Sequence, residues 1–195
     1  MSLYPTFLRL GGRRVLMVGA GLVAATKLDA LLRAGADVVV VAPDIAAEIA
    51  DAPVEIRRRR FMPQDLDGVW FVVAAAPPDV NREVAEAAHA RHLFVNAVDD
   101  VQSASAYAGA VLRRAGLTVA LSTDGEAPAL AGLLREALDT MLPDDLDQWM
   151  DCARDARRSW LADRVPMEHR RPLLLEALVD LYSSRARVAQ GGAPR

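Results

Sequence analysis

The sequence predicts an α/β protein whose first half is a parallel sheet covered by helices. Three observations predict it. Short β-branched runs alternate with stretches of helical period from Arg14 to Val98, the pattern of strand–helix–strand units. One run, Val38 to Val41, is four valines in succession, as expected of a central strand buried on both faces. A glycine-rich turn joins the first strand to the first helix.

The elements follow in order. Arg14 to Val18 reads as a buried strand, and Leu22 to Ala34 as a helix with Val23, Leu28, Leu31 and Leu32 on or near one face. Gly35 is placed to end it, since glycine takes the left-handed conformation that closes helices. After the valines, Val54 to Phe61 and Trp70 to Ala75 read as strands, Asn81 to Arg91 as a helix and Leu93 to Val98 as a strand. Ser103 to Arg114 is Ala-rich and leaves helix and extended chain open. Leu117 to Ser122 is a further strand. Pro128 suits a first helical position, and the helix it opens runs to Pro143. A second helix spans Leu146 to Trp160, and Pro172 opens a third carrying Leu174, Leu175, Leu178 and Tyr182. Gln190 to Arg195 has the composition of a disordered tail.

Composition narrows the function. The chain has 195 residues, 52% of them hydrophobic, enough for a core in one domain plus a smaller one. A net charge of −3 supplies no general attraction to nucleic acid. The single cysteine, Cys152, excludes an intrachain disulfide and a cysteine cage for a metal. The longest apolar run, Val69 to Pro78, is too short to cross a bilayer. No basic-then-apolar leader opens the chain, so a cytoplasmic protein without a membrane partner is expected. His89, His92 and His169 lack metal-ligand spacing, and no resident metal is expected.

The glycine turn carries the chemistry. Gly19-Ala20-Gly21-Leu22-Val23-Ala24 is G-x-G-x-x-A, the dinucleotide fingerprint with alanine in the third place. Gly19 permits the tight turn. Gly21 lets a pyrophosphate approach the backbone. Ala24 lets the helix lie close to the sheet. The first helical turn offers free N–H groups and partial positive charge to phosphates. A dinucleotide therefore seats over Gly19, Gly21, Leu22 and Val23, with Pro43, Asp44, Ala75 and Asn96 as further candidates. The second strand ends without an acid, and Asp44 just beyond Pro43 is the first carboxylate able to reach the ribose. No arginine follows that strand directly to take a 2′-phosphate. NAD is therefore expected in preference to NADP.

A series of motifs resembles a known family. It comprises the glycine turn, Val40-Val41-Ala42-Pro43-Asp44, Val69 to Ala76, Asp79-Val80-Asn81, Val95 to Asp100, and Leu117 to Pro128 with its Ser122-Thr123-Asp124-Gly125 core. In order and spacing it resembles the precorrin-2 dehydrogenase/sirohydrochlorin ferrochelatase family, the N-terminal module of siroheme synthases. The resemblance implies a Rossmann-type domain (1–112), a small α+β dimerisation domain (113–145) and a C-terminal helical module (146–187), with 188–195 as the tail. It implies a homodimer, NAD⁺ as hydride acceptor, and precorrin-2 as the substrate converted to sirohydrochlorin on the route to siroheme or cobalamin. Some members also insert Fe²⁺ as a second substrate. Many have Phe and Pro where this chain has Ala106-Tyr107-Ala108-Gly109, and Gly-Gly where it has Asp124-Gly125, so the second activity stays open.

Asp99 follows a strand whose end should face the cleft. In the resembling family the matching aspartate takes the proton left by hydride removal, a step a nearby carboxylate can serve. A turn aspartate is the other reading, with Asp100 as its neighbour. Asn96 either contacts the nicotinamide or ribose, or satisfies nearby backbone. Ser122 and Thr123 are candidate substrate contacts or helix caps. Arg113 and Arg114 are candidates for the substrate's carboxylates. Arg57 to Arg60 could attract the polycarboxylate substrate that the resemblance implies, but reads rather as a charged edge strand that discourages aggregation. The rival to an enzyme is a non-catalytic NAD(H)-sensing module acting through its C-terminal helices.

Overall fold

The structure, a computed structural model, describes residues 3–191. It divides into two units. The first runs up to Ala108 and includes Ser122–Ala127, and the second comprises Gly109–Leu121 and the chain from Pro128 onward. Of the expected tail, residues 188–191 instead continue the last helix, and residues 192–195 lie outside the described residues.

The first unit is the predicted Rossmann-type sheet. Five strands, β1 (Arg14–Val18), β2 (Asp37–Val41), β3 (Glu55–Arg57), β4 (Phe71–Ala74) and β5 (Phe94–Ala97), pair in parallel in the order β3-β2-β1-β4-β5. Val18 lies opposite Val41 on one side and Ala74 on the other. Its helices are α1 (Leu22–Arg33), the short α2 (Ala47–Ala50) and α3 (Pro78–His89). Alternation along each strand divides two apolar layers. Leu16, Val18, Val39, Val41, Val72 and Val95 pack with Val84, Ala85 and Ala88 of α3. Val15, Met17, Val38, Val40 and Val73 pack with Ala24, Leu28 and Leu31 of α1. Four consecutive valines are needed because both faces of β2 are covered.

Some boundaries differ from the sequence reading. The strand expected over Val54 to Phe61 is only Glu55–Arg57. Beyond it the Arg59 N–H turns back to the Arg57 carbonyl at 2.9 Å and leaves the ladder. The helix expected from Asn81 begins at Pro78, a position where a missing N–H costs nothing.

Arg57 and Arg59 have a specific task. Asp65, 5% exposed, accepts Arg57 Nη1 at 2.7 Å, Arg59 Nη2 at 2.6 Å, and the Met62 N–H at 2.9 Å. Burial pushes this carboxyl's pKa up, but the bonds from Arg59, the Met62 N–H and Arg57 outweigh it and hold the group down at about 2. The folded value lies below the unfolded one near 4. The stabilisation is therefore complete above pH ~4 and lost as pH falls from there through ~2, on the order of 2 kcal/mol. Urea unfolding of wild type and Asp65→Asn should differ at neutral pH, with the gap narrowing as the pH falls below ~4 and closing only below ~2. A gap independent of pH would refute the ion-pair account.

In the second unit, β6 (Ala110–Arg114) and β7 (Leu117–Leu121) form an antiparallel hairpin. Ala115 and Gly116 join them with φ of 50° and 85°, the doubly left-handed pair whose twist suits a two-residue hairpin. The ambiguous Ala-rich stretch thus ends as a strand. Three helices follow: α4 (Pro128–Met141), α5 (Leu146–Ala162) and α6 (Met167–Gly191). Helix α6 starts five residues before Pro172, which sits inside it rather than opening it. The ring leaves the Glu168 carbonyl without its usual donor. Helix α4 packs on the hairpin, and α5 packs on α6. Trp149 Nε1 donates to the Tyr182 hydroxyl at 2.7 Å across that contact. Among the described residues of this unit, few apolar side chains are buried. Leu130, Leu133, Leu134 and Met141 of α4 are all exposed.

Candidate active site

The site is built where β1 turns into α1. Sheet order reverses there, because the chain leaves β1 for β2 on one side and later returns to β4 on the other. Such a switch point opens a crevice at the carboxyl ends of the strands. The Gly19 N–H donates to the Val41 carbonyl at 3.0 Å, and the Ala75 N–H to the Val18 carbonyl at 2.8 Å. These bonds fasten the turn between the ends of β2 and β4. Gly19 has φ of 102°, and a Cβ there would lie 2.2 Å from the Ala75 carbonyl oxygen. Only glycine fits.

Gly21 is different. Its backbone is extended, and a Cβ built there meets nothing within 4 Å. Nothing in the polypeptide itself requires a glycine at this position. The Ala25 N–H bonds back to the Gly21 carbonyl at 3.0 Å. The N–H groups of the preceding first turn have no acceptor within the helix, so they are available to an anion.

A cleft of about 810 Å³ opens over this turn. Gly19, Ala20 and Gly21 form its floor. Ala42, Pro43 and Asp44 line one side with Arg60 and Phe61, and Ala75 to Pro77, Asp79, Val80 and Glu83 line the other. The backbone cradle and the volume fit a dinucleotide, whose pyrophosphate would sit on the α1 N-terminus.

Of the predicted cofactor residues, Gly19, Gly21, Pro43, Asp44 and Ala75 line the cleft. Leu22 and Val23 are exposed in the first turn of α1. Asn96 is buried, and its Nδ2 donates to the Ala106 carbonyl at 3.0 Å. That bond is the backbone partner its burial demands.

Sequence reasoning passed over Asn81 and Arg60 as site residues. Asn81 is buried in the first turn of α3. Its Oδ1 accepts the Ala76 N–H at 2.9 Å and its Nδ2 donates to the Val98 carbonyl at 3.3 Å. It ties the end of β4 to the residue just before Asp99. An Asn in the first turn after a strand was the available signal.

Asp99 stands beyond β5 with φ of 58°, outside the residues lining the cleft. Asp100 shapes the turn. Its carboxylate accepts the Ser103 N–H at 3.1 Å, and hydrogen bonds from the Ser103 side chain and N–H hold its pKa below the ordinary carboxylate value. The 122–127 loop packs on the same turn: a Cβ on Gly125 would come within 2.8 Å of Val101 Cγ2. Ser122 Oγ accepts the Asp124 N–H, and Thr123 Oγ1 the Ala127 N–H, each at 3.1 Å. Both hydroxyls therefore cap the loop and keep their own hydrogens to donate.

Arg113 and Arg114 belong to the second unit, on β6. The Arg114 guanidinium donates to the Asp139 carbonyl at 3.2 Å and pairs with Asp144 at 3.4 Å. It closes the end of α4.

The family described as "Putative NAD(P)-binding" matches residues 6–110. The chain belongs to that family. The matched stretch covers all five strands of this NAD(P)-binding sheet and the Asp99 turn. Similar curated proteins include siroheme synthase 3 of Aeromonas hydrophila subsp. hydrophila, 42% identical over 151 residues, which are 75% of this chain and 32% of that protein. Siroheme synthase 1 of Pectobacterium atrosepticum is 42% identical over 158 residues, 78% of this chain and 33% of that protein. The chain thus spans about a third of the length of these relatives. A solved structure described as SirC, precorrin-2 dehydrogenase, superposes with a TM-score of 0.70 at 28% identity, over 89% of this chain and 88% of that one.

Proposed function

We propose that the protein is an NAD-dependent precorrin-2 dehydrogenase that forms sirohydrochlorin on the way to siroheme. The observation that carries the reading is the glycine-floored cleft at the switch point, with Asp99 at the end of a neighbouring strand. Likeness to SirC over nearly the whole chain supports it.

Each residue has a role that follows from its place. Gly19 and Gly21 let the pyrophosphate reach bare backbone, and the first-turn N–H groups bind it. Asp44 reaches the ribose from the loop after β2 and accepts a hydroxyl hydrogen there. Ala75 bounds the nicotinamide side of the cleft, and Asn81 fixes the strand ends around it. The nicotinamide, when bound, supplies the hydride acceptor. Loss of hydride from the reduced macrocycle leaves a proton, and Asp99 takes it. Ser122 and Thr123 donate hydroxyl hydrogens to the substrate's carboxylates.

The exposed leucines of α4 support a homodimer, in which a second copy covers that face. Among the described residues no helix is long and apolar enough to cross a membrane, and we place the enzyme in the cytoplasm.

Mixing the folded protein with precorrin-2 and NAD⁺ should yield NADH and sirohydrochlorin, from a species sedimenting at twice the 21.0 kDa chain mass. No NADH from protein that binds NAD⁺ would remove the assignment. Iron insertion is read separately, from the metal complex's absorbance. Formation no faster than in buffer confines the chain to dehydrogenation.

A further inference from the structure

We propose that Arg60 receives the 2′-phosphate of NADP, so that the cleft takes the 2′-phosphorylated dinucleotide as well as NAD. The inference rests on the dinucleotide reading of the cleft and adds its specificity at the ribose.

The segment after β3 is held from both ends. Arg57 and Arg59 are committed to Asp65. The Arg60 carbonyl accepts Arg59 Nη1 at 3.0 Å, and the next residue, Phe61, is buried in the core. The backbone of Arg60 is thus positioned. Its guanidinium, by contrast, makes no hydrogen bond or ion pair among the described residues, and the residue lines the cleft beside Pro43 and Asp44. The other ionisable groups lining the cleft, Asp44, Asp79 and Glu83, are acids.

Sheet order gives Arg60 its meaning. β3 lies outside β2, on the side away from β4. With a pyrophosphate on the turn after β1, the adenosine ribose falls over the end of β2. An acid as the last strand residue would bind both ribose hydroxyls and repel a 2′-phosphate. Here that residue is Val41, and Asp44 follows only after Ala42 and Pro43. A phosphate at the 2′ position therefore meets a guanidinium with unused donors, whose planar fork matches phosphate oxygens. No arginine follows β2 directly, but the strand beside it delivers one to the same place.

Calorimetry with NAD⁺, NADP⁺, 2′-AMP and 5′-AMP on wild type and Arg60→Ala tests this, with circular dichroism confirming the fold. Wild type should bind NADP⁺ within about fivefold of NAD⁺, and 2′-AMP better than 5′-AMP. Arg60→Ala should raise the ratio of the NADP⁺ Kd to the NAD⁺ Kd at least about tenfold, and Arg60→Lys should raise it less. A ratio unmoved by Arg60→Ala, or a wild-type preference for NAD⁺ beyond about thirtyfold, overturns the proposal while NAD⁺ binding survives. If folded wild type binds neither dinucleotide, the underlying cofactor reading falls, and this inference with it.

Discussion

Gly21→Ala is expected to fold normally and to lose at least about tenfold in affinity for NAD⁺, read by calorimetry. The backbone of Gly21 is extended, and an added Cβ meets no atom of the protein within 4 Å. The folding cost is that of a poorer N-cap, about 0.5 kcal/mol. The methyl would instead stand where the pyrophosphate must approach. Hydrogen bonds from backbone N–H groups to a charged partner contribute about 1.5–3 kcal/mol each, so forfeiting one gives a loss of roughly 10- to 150-fold. Gly19→Ala should behave oppositely, with a large loss of stability even without cofactor. Its Cβ would lie 2.2 Å from a backbone oxygen at a φ of 102°, for a cost upwards of about 3 kcal/mol. Equal stability losses for the two variants, or a Gly21→Ala protein with wild-type affinity, would mean that the turn is merely structural.

The contrast between the two glycines also marks how far the sequence could be read. The spacing of the fingerprint located both, and the strand before it was right to the residue, because a two-sided core forces continuous apolar runs. Local pattern carries that information. It carries less where the partner is distant. Arg57 to Arg60 looked like one charged edge, and β3 is indeed an edge strand. Yet Arg57 and Arg59 serve a buried Asp65, and Arg60 faces the cleft, because of how the chain turns after β3. Asn81 read only as the start of a helix and as one letter of a family motif. Only the juxtaposition of β4 and β5 reveals that it joins two strand ends. The Ala-rich stretch before Arg114 had no periodicity to choose between helix and strand. Its state is decided by pairing with β7 through a two-residue turn. Pro172 misled because its ring usually marks a helix start, whereas here the helix absorbs one lost hydrogen bond.

Asp99→Asn is the second large effect expected: a fall in the rate of dehydrogenation of the order of 10²- to 10⁴-fold, the range typical of a lost general base, with NAD⁺ affinity held within about twofold. Asparagine is the informative replacement. Residue 99 has φ of 58°, a conformation that Asn adopts as readily as Asp and that Ala adopts at a higher cost. Asp99→Ala would mix backbone strain with lost chemistry, while Asn keeps the turn and removes only the proton-accepting oxygen. Asp100 is the internal control. Its carboxylate is engaged with Ser103, and that engagement holds its pKa low, so it is a weak base already committed to the turn. Asp100→Asn should therefore cost far less activity than Asp99→Asn. The ranking tests the assignment better than either number alone. A turn role predicts that Asp100, with the explicit side-chain bond, matters more. A base role predicts that Asp99 does, because its position after β5 gives it access to the sheet end where the substrate must lie. Single-turnover rates at saturating NAD⁺ would separate the two, and an Asp99→Asn enzyme within a few-fold of wild type would hand the proton to another group.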